Sequence, residues 1–138
     1  MVHTDVLELK TAGRCDVHDV TPELARIVAE SGVRQGIVCV ACAGSTAGIT
    51  TIEFEPGVVK DLQELMEKLV PQKQTYHHDS TWGDANGYAH LRSALLGTSL
   101  ALPVKDGRPV LGTWQQVVFV DFDNRPRRRT LTVVVVGE

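Results

Sequence analysis

The chain has 138 residues, 14 of them Lys or Arg and 17 Asp or Glu, for a formal charge of -3. That length fits one domain over residues 1–138 with a real core, and 43% hydrophobic against 22% charged residues excludes wholesale disorder. The acidic balance argues against a general nucleic-acid binder, no apolar run approaches the ~20 residues of a bilayer span, and no signal-peptide pattern opens the chain, so neither nucleic acid nor membrane is an expected partner.

Val2 to Lys10 carries a mixed period-2 pattern and predicts a strand. Thr21 is a candidate cap, Pro22 suits the first helical position, and Leu24, Ile27 and Val28 share a face. Gly32 can end that helix in a left-handed conformation. Gly36 to Ala43 is a continuous apolar run of strand length, broken by Gly44-Ser45-Thr46-Ala47-Gly48 before a second strand at Ile49–Glu53. From Val58 to Leu69, apolar residues recur at helical spacing until Pro71 stops them.

Thr75 to Gly87 reads as a polar loop. A short helix is expected over Ala89–Leu96, closed by Gly97. Strands are expected at Ser99–Val104, around Val110, at Gln116–Phe122 and at Thr130–Val136. Asp123-Asn124-Arg125-Pro126 reads as a hairpin connection between the last two. The all-apolar Val133–Val136 suggests a strand buried on both sides, by core or by a neighbouring subunit. Strands at both ends with helices interspersed predict an α+β fold with a largely antiparallel sheet and about three helices.

Cys39 and Cys42 match C-x-x-C, but residues three apart on a strand point to opposite faces, so a structural, buried pair is favoured over a redox or zinc site. Three cysteines in apolar or mixed surroundings fit a reduced, cytoplasmic protein. The Gly44–Gly48 turn is either a plain connection or an anion cradle, in which small residues let backbone N–H groups approach a phosphate. His78 and His90 are candidates for capping and loop hydrogen bonding, or for zinc-type ligation with Glu53, Glu55, Asp79 or Asp84 adding oxygen; His77 is read as solvent-facing. Asn86 can cap the next helix or orient a substrate. Arg125, Arg127, Arg128 and Arg129 form a basic run that is either a solvated tip or a phosphate contact. Alternation puts Arg127 and Arg129 on one face and Arg128 on the other.

The blocks G-S-T-A-G-I-T-T-I-E-F-E-P-G, Y-H-H-D, N-G-Y-A-H-L-R-S-A-L-L-G-T-S-L, L-G-T-W-Q-Q and F-D-N-R-P-R-R-R resemble, in order and spacing from about Gly36 to Gly137, the YjbQ family, also called secondary thiamine-phosphate-synthase-like. The resemblance implies an antiparallel β-sandwich core, a homotrimer, and a weak synthase activity that joins a pyrimidine methyl diphosphate to a thiazole phosphate. It implies that Tyr76, His78, His90 and the Gly112–Gln115 block belong to the site. Many members carry a histidine where Gly44 stands, so a divalent metal (zinc or magnesium) would fall to His78, His90 and a carboxylate such as Glu53. His78, His90 and Asn86 are then the expected catalytic groups. Ser45, Thr46, Gln115 and Arg127 are expected to hold a small phosphorylated molecule, and one cleft is expected to gather Asn86, His78, His90, the glycine turn and Gln115.

Overall fold

In chain order, β1 (Val2–Thr11) and β2 (Asp16–Asp19) lead into α1 (Thr21–Ser31). β3 (Gln35–Cys42) and β4 (Ala47–Ile52) precede α2 (Pro56–Leu69), α3 (His77–Trp82) and α4 (Gly87–Leu96). β5 (Ser99–Lys105), β6 (Arg108–Pro109), β7 (Gln116–Asp121) and β8 (Arg127–Gly137) follow. This computed structural model describes residues 1–138. The strands form two antiparallel sheets, one of five in the order β1-β8-β3-β5-β6 and one of three in the order β2-β7-β4. The α+β architecture matches the expectation, with four helices rather than about three.

Two apolar layers flank the small sheet, and β7 lies between them. Val117 and Phe119 join Leu24, Ile27, Val28, Val38, Val40, Leu131, Val133 and Val135 in a core shared by both sheets and α1. Val118, Val120 and Phe122 point the other way, against Met66 of α2 and Tyr88 and Ala89 of α4. A strand covered on both faces carries a continuous apolar sequence, because neither pleat position meets water. At about 1.5–3 kcal/mol for each large apolar side chain fully buried, these layers carry most of the stabilisation.

Within the single chain the valine run of β8 is buried on one side only. Val133 and Val135 are fully buried, but Val136 is 47% exposed. It lies beside Val2 and Ile37 on the outer face of the large sheet, and these are 69% and 56% exposed. One side of the five-stranded sheet is thus bare, and double burial belongs to β7.

The predicted 123–126 hairpin is also corrected. β7 and β8 sit in different sheets, so Asp123–Pro126 carries the chain between layers. β3 to β4 makes the same crossing through Gly44-Ser45-Thr46.

The first helix starts one residue earlier than its candidate cap implies. Val20 takes the cap position, Pro22 falls in the first turn, and Gly32 ends the helix at φ 75°. Thr21 instead uses its hydroxyl to accept from the Val117 N–H at 2.8 Å, tying α1 to β7. Cys39 and Cys42 do point to opposite faces, one half-buried and one buried, and all three thiols are free. Burial pushes the Cys15 thiol up to about 11 despite the nearby Arg92 charge, and burial likewise raises Cys42 against the pull of Arg129. Such thiols are inert.

Candidate functional site

The polar segment before α4 is more ordered than a loop. His77–Trp82 forms α3, ended by Gly83 at φ 71°. Its approach to α4 depends on Gly87. A Cβ there would lie 2.7 Å from the Tyr76 Cβ, 3.0 Å from Asp79 Oδ1 and 3.3 Å from the His78 Cβ. Without a side chain, the Gly87 N–H donates to Asp79 Oδ1 at 2.9 Å. That contact draws the start of α3 onto the start of α4.

The result is the pairing of His78 with His90, their ring centroids 4.4 Å apart and tilted by 39°. On the far side of His78, Nδ1 stands 3.7 Å from Asp79 Oδ1 and 3.6 Å from Asp84 Oδ1. Nδ1 is shielded from solvent and makes no hydrogen bond. The ligand atoms of His78, Asp79 and Asp84 all lie within 4.8 Å of one another. A nitrogen and two carboxylates at that spacing suit a divalent cation. The rings open onto a cavity of about 420 Å³ whose walls include Gln74, Thr75, Tyr76 and Leu91. His77 is exposed.

Beneath this cleft lies a second polar cluster, almost wholly enclosed. Asp121, fully buried, is gripped in two-pronged fashion by Arg129, Nε to Oδ2 at 2.7 Å and Nη2 to Oδ1 at 2.9 Å. The Thr11 hydroxyl donates to it at 2.6 Å. Asp123 accepts from Thr46 Oγ1, Asn86 Nδ2 and Arg127 Nε. Burial alone would push both carboxyls up. At Asp121 the hydrogen bonds from Arg129, Thr11 and the Asp123 N–H outweigh it, and the acid is held below its ordinary range. At Asp123 the Asn124 N–H, Asn86, Thr46 and the Arg127 charge do the same. The hydrogen bond to Asp121 raises Arg129 above its ordinary value, against desolvation.

The expected residues therefore divide. His78 and His90 meet, and the glycine turn reaches His90 from its other side, where Gly44, Ser45 and His90 line a separate cavity. Asn86 sits at the head of α4 without a side-chain cap bond. It holds Asp123 instead, and its Oδ1 is buried without a partner. Thr46 and Arg127 turn inward to Asp123. Glu53 and Gln115 lie elsewhere. The β4–β7 register pairs Ala47 with Asp121 but Ile52 with Gln116, which puts Gln115 and Glu53 some six residues, roughly 20 Å, along the sheet. Gln115 there donates to Thr51 at 3.2 Å, and Glu53 is exposed and outside the His78 cluster.

Sequence reading missed Asp121 and Asp123 as an organising pair. The available signal was two acids closing an apolar strand just before two arginines of matching parity. It also missed Arg92, 2% exposed, which clamps Val70 O and Glu67 and fixes α4 to the end of α2.

Fold and site together define a small α+β protein with a paired-histidine cleft at a junction of helices and sheets. The chain matches the UPF0047 protein YjbQ-like family over residues 5–138 and belongs to it. A UPF0047 protein of Archaeoglobus fulgidus is 42% identical over 125 residues, 91% of this chain and 95% of that one. The UPF0047 protein YugU of Bacillus subtilis is 34% identical over 95% and 97%. Among solved structures, a YbjQ-like protein of unknown function from Sulfolobus solfataricus P2 superposes with a TM-score of 0.94 at 31% identity, covering 100% and 99% of the two chains. A hypothetical protein from Aeropyrum pernix K1 gives 0.92 at 32% identity, with 99% of each covered.

Proposed function

We propose that the chain is an enzyme of the thiamine-phosphate synthase type, acting on small phosphorylated heterocycles in the His78–His90 cleft. The observation that carries this reading is the pair of imidazoles 4.4 Å apart, one backed by two carboxylates and both facing a cavity of substrate size. In the reaction, the thiazole nitrogen forms a bond to the pyrimidine methylene carbon while the bond from that carbon to diphosphate breaks. His90 makes no side-chain hydrogen bond of its own and is free to donate a proton to the departing oxygen. Asn86, fixed on Asp123, acts as a positioning residue for the head of α4.

The unpartnered Nδ1 of His78 and its two carboxylates fit a divalent ion better than His78, His90 and Glu53 do. Zinc or magnesium held by His78, Asp79 and Asp84 would supply positive charge against the diphosphate. The same donor set favours a second reading, a metal- or ligand-binding protein without physiological turnover.

Turnover with the pyrimidine diphosphate and thiazole phosphate, read with elemental analysis, separates the two. The synthase reading expects His90→Ala to lose at least about a hundredfold in rate with metal content unchanged. Gly87→Ala, which must push Tyr76 aside and crowds Asp79 and His78, is expected to lower the rate as well. Metal uptake at His78 without turnover in the unaltered protein would leave the binding reading standing.

We also infer a homotrimer packed through the bare face of the five-stranded sheet, in a cytoplasmic setting that agrees with three free thiols. Exposed Val2, Val6, Ile37 and Val136 form one apolar surface, the kind of patch that association covers. No helix of the chain is long and apolar enough to cross a membrane. Val136→Glu is expected to yield a folded monomer by light scattering; an unchanged mass would remove the inference.

A further inference from the structure

His90 has a cavity on each side. One is the His78 cleft. The other, about 310 Å³, is walled by Gly44 and Ser45 from the β3–β4 crossing and by Ser93, Ala94, Gly97 and Thr98 from the end of α4. Its donors have no partner within the chain, at a turn whose Gly44 and Ser45 are exposed and open to a ligand. The N–H groups of Gly44, Ser45 and Thr46 make no hydrogen bond to backbone or side chain, and the hydroxyls of Ser45 and Thr98 make none either.

Behind the turn lies a positive charge. Asp121 occupies Nε and Nη2 of Arg129, whereas Nη1 has no partner and stands 3.5 Å from where a Cβ on Gly44 would be. The Gly44 and Ser45 amides, two hydroxyls and an imidazole line this hollow, and with the guanidinium nitrogen behind Gly44 they form a donor set for a tetrahedral oxyanion. Thr46 stands behind the turn, its hydroxyl held by Asp123 and Arg129.

We propose that this second chamber binds the phosphate end of a small-molecule ester, with His90 as the partition across which that ester meets a second ligand in the His78 cleft. The proposal rests on reading that cleft as the reacting site, and it makes the arrangement a two-ligand one. It also assigns the phosphate contact to Arg129 rather than Arg127, which faces Asp123.

The test is amide-resolved NMR of the whole protein titrated with inorganic phosphate, then with thiazole phosphate. Saturable shifts are expected at Gly44, Ser45, Thr46 and Thr98, and with the ester at His90 as well. Ala94 is exposed on α4, so Ala94→Glu places a carboxylate in the chamber and should weaken phosphate at least about tenfold, while Ala94→Gln should not. Ser45→Glu brings the same charge from the opposite wall should Ala94→Glu fail to fold. His78→Ala is expected to leave phosphate binding intact. Turnover that fails while phosphate still binds would therefore sink the synthase reading alone. Absent shifts at 44–46, shifts confined to residues 74–78, or equal binding by the Glu variants would overturn the chamber.

Discussion

Two polar clusters meet at the head of α4, and they are built on opposite principles. The lower one, Asp121 and Asp123 with Arg127, Arg129, Thr11, Thr46 and Asn86, is enclosed, and nearly every charge in it has a partner within hydrogen-bond distance. The upper one, His78 and His90 with Asp79 and Asp84, is part-exposed, and its closest imidazole–carboxylate approaches stand at 3.6 and 3.7 Å, too far for hydrogen bonds. Buried charge is tolerable only when satisfied, because desolvation costs more than an imperfect pair returns. Charge meant for a ligand must instead be left unsatisfied and reachable. The difference separates groups that hold the fold from groups available for chemistry.

The largest expected effect comes from breaking the lower cluster. Asp121→Ala strands the buried Arg129 guanidinium and two further donors, and a loss of about 3–5 kcal/mol in urea unfolding is expected. A loss below about 1 kcal/mol would mean that the cluster is solvated and that the contrast with the histidines is false.

Acid provides the next test. Both carboxyls are held below their ordinary range in the folded protein, so the unfolded chain binds their protons more readily. Their contribution is complete above the unfolded value of about 3.9 and is lost as pH falls through the lower folded values. The urea midpoint should therefore stay level from pH 7 to 5 and fall below about pH 4. Asp121→Asn should flatten part of that fall, and a midpoint as steep as that of the parent would assign the acid sensitivity to other groups.

A smaller loss is expected at the seam. Thr46 donates to Asp123 at 3.1 Å and accepts from Arg129 at 2.8 Å. Thr46→Val keeps the shape and removes both bonds, for about 1–3 kcal/mol, whereas Thr46→Ser should recover most of it. Equal loss in Ser and Val would point to methyl packing rather than hydrogen bonding.

What could be read from the chain follows the same division. α1, α2 and α4 announce themselves because apolar periodicity and Pro or Gly punctuation act within ten residues. α3 was invisible, since H-H-D-S-T-W has no apolar stripe and its position depends on Gly87 meeting Tyr76 and Asp79. β2, D-V-H-D, is too short and polar to signal a strand. The valines of β7 and β8 look alike in sequence; which pair of faces is covered depends on where α2 and α4 pack. His78 and His90 were legible as candidates by residue type. Their meeting depends on Gly87 letting α3 onto α4, and the failure of Glu53 and Gln115 to join them on β4–β7 register. The arginine alternation was correct because it needs only the strand period. The acids those arginines meet lie across a change of sheet, beyond the reach of local pattern.

The smallest stability effect should come from the upper cluster itself. His78 is 28% exposed, and its partner Asp84 is more than half exposed, so solvent screens what the pair contributes. His90 makes no side-chain hydrogen bond whose loss would leave a buried partner bare. His78→Ala and His90→Ala should each move unfolding by no more than about 1 kcal/mol, although each alters the chemistry assigned to the cleft. Their double variant should be near the sum of the two, because two part-exposed rings tilted by 39° with no hydrogen bond between them couple weakly beside the ionic grip on Asp121. A loss in either single variant as large as that of Asp121→Ala would show that the imidazoles hold the fold, and the cleft would then have no free groups with which to work.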